Sequence, residues 1–167
     1  MVTLRSVAMK QERAINVYVP PSYQTGQRRY PVLYMLDGGV RDGFAPMAML
    51  IEHGIATGTI GDVILVGIAQ RDRDSELVPS AKRAKAFRSF VIGEVKPWVE
   101  AHFRTNGRDA IQGGSFGGLF VIYTLLHQPD AFDDYVAISP SLWWKGQALV
   151  SGSRALLGKA TPAPRRL

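Results

Sequence analysis

Short, unbroken apolar runs separated by helical stretches constrain this chain most. Pro31 to Leu36 (PVLYML) and Asp62 to Ile68 (DVILVGI) are apolar at nearly every position. Strands covered on both faces read this way, and they belong to parallel sheets whose crossovers are helices. The segment between them, Ala45 to Ala56, sets Met47, Leu50, Ile51 and Ile55 on one side of a helix. Arg13 to Pro20 alternates Ile15, Val17 and Val19 with Ala14, Asn16 and Tyr18, the pattern of a half-buried strand. Residues 2–8 are expected to pair outside it.

Further on, Phe87 to Phe103 is amphipathic, with Pro97 expected to kink or restart its helix. A short strand is expected over Asp109 to Gln112, a helix over Leu119 to His127 and a strand over Tyr135 to Ser139 (YVAIS). The charged stretch 70–86 reads as a surface loop, residues 146–157 as a final helix, and Ala160 to Leu167 as a frayed tail. Two outer strands followed by alternating strands and helices predict a mostly parallel α/β sheet with flanking helices. The expected division is a core over 1–145 and a basic C-terminal helix and tail over 146–167. Ligands of such sheets bind at the carboxyl ends of the strands, which directs attention to the loops after Leu36, Ile68, Gln112 and Ser139.

Composition narrows the function classes. The 167 residues suit one domain with a real core. The formal charge is +6, which raises nucleic acid as a partner. Five of those charges fall in residues 145–167, which hold Lys145, Arg154, Lys159, Arg165 and Arg166 and no acid. The rest of the chain is nearly neutral, so no nucleic-acid partner is expected. No apolar run approaches the ~20 residues of a membrane helix, and the N-terminus lacks a signal-peptide core, so a cytoplasmic, membrane-free protein is expected. With no cysteine there is no disulfide and no thiolate chemistry. The three histidines, His53, His102 and His127, have no metal-site spacing.

The loop after Gln112 reads Gly113-Gly114-Ser115-Phe116-Gly117-Gly118 and fits G-x-S-x-G between a strand and a helix. In that context a serine on a tight turn projects its Oγ above the sheet, and the helix N-terminus behind it favours developing negative charge. Ser115 is the candidate nucleophile and the Phe116 N–H one candidate oxyanion donor. The second donor is expected from Gly38, Gly39 or Val40. A plain glycine-rich turn packing helix on strand is the other reading. A phosphate loop lacks its lysine here.

The chain resembles the esterase group of the α/β-hydrolases that includes ferric-siderophore (enterobactin-type) esterases and relatives of feruloyl esterases. The resemblance spans about residues 10–145. It rests on Tyr30 to Gly38, the Arg71 to Pro79 loop, Glu94-Val95-Lys96-Pro97-Trp98, Ile111 to Phe120, and Gln128 to Phe132 leading to Ser139-Pro140-Ser141-Leu142-Trp143-Trp144. It implies an α/β-hydrolase-like fold and cofactor-free serine hydrolysis of a small-molecule carboxylic ester. It also implies that the family's acid and histidine follow the Ser139–Trp144 loop, on strands expected to be missing from this chain. His127, 12 positions after Ser115 on a helix, falls roughly 18 Å down its axis. Asp130, Asp133 and Asp134 are expected at the far end of the sheet, and His53 and His102 on helix surfaces. An edge left open after Tyr135 to Ser139 invites a second copy to pair as a homodimer. Three outcomes therefore stand: an esterase with an unusual base, one completed by a partner chain, or a non-catalytic binding module.

Other residues carry paired readings. Trp143 and Trp144 either line an ester pocket or cover the sheet edge. Arg71 and Arg73 either meet an anionic substrate or sit in a solvated mixed-charge loop. Asp37 either orients the oxyanion loop or is an ordinary turn residue.

Overall fold

The computed structural model describes residues 1–79 and 82–157. Its centre is a six-stranded sheet in the order β1-β2-β4-β3-β5-β6. The strands are β1 (Val2–Ser6), β2 (Gln11–Tyr18), β3 (Tyr30–Leu36), β4 (Ile64–Ile68), β5 (Thr105–Gly114) and β6 (Asp134–Ile138). β1 and β2 run antiparallel to their neighbours, whereas β3, β4, β5 and β6 are parallel. The two apolar runs are the interior strands. Ile64, Leu65, Val66 and Ile68 have no exposed surface.

Alternation along these strands feeds two cores. Leu33, Met35 and Leu65 meet Ile51 and Met47 of α1 (Phe44–Ala56). Val32, Tyr34, Val66 and Ile111 meet Phe87, Phe90, Val95 and Phe120 from the helices of the opposite face. The helices on that face are α3 (Lys82–Phe90), α4 (Lys96–His102) and α5 (Phe116–His127), with Val95 on the turn that joins α3 to α4. Between α3 and α4, Val91–Val95 winds as a π-helix, where the Lys96 N–H reaches back to the Val91 carbonyl. Pro97 follows directly. It has no N–H to donate, so the chain re-registers there rather than breaking.

The stretch 70–86 is not a surface loop. It contains α2 (Arg73–Leu77) and the start of α3, and Glu76, Leu77 and Val78 are buried. The reason lies 63 residues away. Arg13 of β2 forks onto Glu76, Nη1 to Oε1 and Nη2 to Oε2 both at 2.7 Å, with neither side chain exposed. Arg13 Nη2 also bonds the Ala69 carbonyl at 2.7 Å, and its guanidinium lies 5.4 Å and 5.6 Å from the Phe87 and Phe90 rings. A glutamate neutralised in this way can be interior, although its local sequence is polar.

The last described helix, α6 (Trp144–Leu157), packs on α5 after a kink at Lys145, Gly146 and Gln147. The expected tail over Ala160 to Leu167 lies outside the described residues. No helix among the described residues is long and apolar enough to cross a membrane.

Candidate active site

The strand–serine–helix turn forms at the carboxyl end of β5. Ser115 adopts φ 55° and ψ −115°, a conformation that costs a residue with a Cβ. Several bonds enforce it. The Ser115 N–H donates to Ile138 O of β6 at 3.0 Å, and its carbonyl accepts from Leu119 N at 3.0 Å and Ser141 N at 3.1 Å. The side chain makes no capping bond to α5 and is exposed, with its Oγ 3.1 Å from Ser141 Oγ. Phe116 opens α5, so its N–H has no carbonyl one turn back to bond.

Tight packing lets β5 and α5 meet at this angle. A Cβ on Gly113 would stand 2.5 Å from the Gly117 carbonyl carbon. Across the cleft, Gly38 approaches Gly67 of β4 so closely that a Cβ would lie 2.3 Å from its Cα. The Gly38 N–H donates to Ile68 O at 3.1 Å, and the Gly38 carbonyl accepts from Asn16 Nδ2 at 2.8 Å. Gly39 is buried and Val40 exposed.

Asp37 is not an ordinary turn residue. Its φ is 53°, its N–H bonds Gln70 Oε1 at 2.8 Å, and its carboxylate takes the fork of Arg73 at 2.8 Å and 3.1 Å. Arg73 Nη2 also donates to Gly114 O at 3.1 Å. The hydrogen bonds to Asp37 hold the guanidinium pKa above its ordinary value. Arg73 therefore faces the protein rather than a solvated loop. Arg71 is exposed, and its backbone N–H is 3.3 Å from Glu76 Oε2.

The two tryptophans part company. Trp143 is 67% exposed, with its ring 6.1 Å from that of Phe116. Trp144 is half-buried and lines a cavity of about 290 Å³ with Leu119, Tyr123 and Leu149. His127 lines the same cavity, and the other two histidines lie elsewhere. His127 Nδ1 is 2.9 Å from Tyr123 O and His102 Nδ1 is 2.7 Å from Trp98 O, while His53 sits on the exposed flank of α1. Asp133 and Asp134 lie at the start of β6, the opposite end of the sheet from Ser115. Among the described residues, no cluster of three or more His, Asp and Glu side chains is placed to hold a metal ion.

Motif reading missed Ser141, which touches Ser115 twice, and the Arg73–Asp37–Gly114 junction. Each pairs residues 26 or more positions apart, and no local pattern announces such a pairing.

The strand order, the parallel half of the sheet and helices on both faces make this an α/β-hydrolase-like fold. The chain belongs to the esterase family: the family model described as "Putative esterase" matches residues 6–164. It is 30% identical over 152 residues to the siderophore triacetylfusarinine C esterase of Aspergillus fumigatus, covering 80% of this chain and 52% of that one. It is 31% identical over 162 residues to the ferri-bacillibactin esterase of Bacillus subtilis, covering 80% and 56%. An IroE-like serine hydrolase from Shewanella oneidensis superposes with a TM-score of 0.87 at 29% identity, over 96% of this chain and 56% of that structure. The chain thus spans about half the length of the curated relatives it matches.

Proposed function

We propose that the chain acts as a serine-dependent hydrolase of small-molecule carboxylic esters, with Ser115 as nucleophile. The observation that carries the reading is an exposed serine, Ser115, on a strained turn at the N-terminus of α5. In this reading Ser115 Oγ attacks the ester carbonyl carbon and loses its proton to a base. The carbonyl oxygen becomes the oxyanion, the alcohol leaves with a proton, and water releases the acid from the acyl-enzyme. The Phe116 N–H is one oxyanion donor and the N–H of Gly39 or Val40 the other. Gly38 drops out because its N–H is engaged by Ile68 O.

Trp143, exposed beside Phe116, supplies an aromatic wall for the substrate. Trp144 serves as the floor of the neighbouring cavity, and Arg71 is free to meet an anionic group at the rim. The names of the two curated relatives make siderophore esters the first natural substrates to try. Proton removal from Ser115 is assigned to no described residue. A second copy paired along β6, where Val136 and Ile138 are 42% and 51% exposed, is one place for the base.

The test is hydrolysis of p-nitrophenyl butyrate by the wild type and by Ser115→Ala, whose backbone bonds remain. Turnover should fall at least ~100-fold in the variant. Equal rates would sink the esterase reading and leave a ligand-binding protein. Sedimentation alongside the assay locates the base: full activity in a clean monomer excludes its supply by a second copy.

A further inference from the structure

Arg73 occupies an unusual position between the two loops of the site. It is the first residue of α2, and its guanidinium makes three hydrogen bonds to two separate elements. Nε and Nη2 fork onto Asp37, which directly follows β3 and opens the Gly38–Val40 loop. Nη2 also holds Gly114 O, the carbonyl immediately before Ser115. The same cation lies 5.7 Å from the ring of Phe116, the residue immediately after Ser115. One planar group thus touches the residues on both sides of Ser115 and the residue that launches the facing loop.

Its own support is rigid. α2 is capped by Asp72, whose Oδ1 is 3.3 Å from Ser75 N, and is fastened to β2 by the buried Arg13–Glu76 pair. Asp37 in turn is held at a positive φ by Gln70 and by the Gly43 N–H on its carbonyl at 3.2 Å. The guanidinium fork matches a carboxylate in a way that an ammonium cannot. The carboxylate already balances the charge, which argues against a substrate anion in the same place.

We propose that Arg73 is a positioning residue. It sets the distance between the Asp37–Val40 loop and the Gly114–Phe116 turn, so that N–H groups from the two converge on one oxyanion. The inference rests on Ser115 being the nucleophile, but its structural half can be read without turnover. Misplacing catalytic groups by about 1 Å costs on the order of 100-fold in rate.

The test compares wild type, Arg73→Lys and Asp37→Asn. Hydrogen exchange should rise at least ~10-fold in both segments 37–44 and 113–118, with 64–68 unchanged. On p-nitrophenyl butyrate kcat should fall about 10–100-fold with KM within about threefold, and the pH profile should keep its shape. Combining the two substitutions should cost no more than either alone. Unchanged exchange in the two segments overturns the proposal. So does a KM rise confined to an anionic ester such as p-nitrophenyl hemisuccinate, which would make Arg73 a substrate contact. If the wild type shows no Ser115-dependent turnover, the esterase reading fails, and exchange alone still decides whether Arg73 braces the two loops.

Discussion

Glu76→Gln should destabilise the protein by about 3–5 kcal/mol, the usual cost of leaving a buried charge without its partner. The arithmetic is one-sided because Arg13 stays behind. Its guanidinium is fully buried, its Nε already lacks a partner, and Phe87 and Phe90 flank it. Glutamine keeps one acceptor oxygen, turns an NH2 donor toward the other arm of the guanidinium fork and cannot balance the charge, and Arg83, with Nε 3.3 Å from Glu76 Oε1, loses its counterion too. For a chain of this size the midpoint of thermal unfolding should drop on the order of 10 °C. The companion variant separates charge from shape. Arg13→Met with Glu76→Leu removes both charges and keeps apolar volume, so it should recover most of the loss. If Glu76→Gln melts within 2 °C of wild type by calorimetry, the pair does not hold α2 in place.

Gly113→Ala should damage both fold and site. The added Cβ meets only backbone: Gly117 C at 2.5 Å, its O at 2.7 Å and its Cα at 2.9 Å. No rotamer relieves such a contact, so β5 and α5 must move apart at the turn that holds Ser115. Overpacking of this kind costs about 1–3 kcal/mol or more. Any Ser115-dependent turnover should fall at least ~100-fold, because the turn that aims Oγ is the part displaced. The neighbouring glycine is the control. A Cβ on Gly114 has Ile138 O at 3.9 Å as its nearest neighbour, so Gly114→Ala should fold with stability within about 1 kcal/mol of wild type. Denaturant melts of the two variants decide the matter. Equal stability would mean that the Gly113–Gly117 approach does not constrain the turn.

The strands and the serine turn were legible because their signals are local. A run such as DVILVGI must be covered on both faces, and β4 is. Gly113 precedes Ser115 where a side chain would strike the Gly117 backbone at 2.5 Å, whereas a Cβ on Gly117 would meet Asp37 Oδ2 at 3.4 Å, an ordinary contact. Element ends were less legible. β5 begins at Thr105, earlier than Asp109, and α5 at Phe116, earlier than Leu119. Glycines and polar residues inside those elements are tolerated by the packing around them, which propensity alone does not register. The stretch 70–86 was misread for a deeper reason. Its charges look solvated until Arg13 arrives from β2 and makes Glu76 an interior residue.

By itself, the amino-acid sequence determined the α/β architecture, the succession of its strands and the place of Ser115 between a strand and a helix. Periodicity and turn chemistry act over a few residues, so they survive in one dimension. Only the tertiary structure decided what surrounds that serine. It brought Ser141 within 3.1 Å of Ser115 Oγ, tied Arg73 to Asp37 and Gly114, and turned the Gly38 N–H onto Ile68 O. Those contacts join residues separated by 26 to 41 positions, and their partners are chosen by directional hydrogen bonds formed once the sheet has closed.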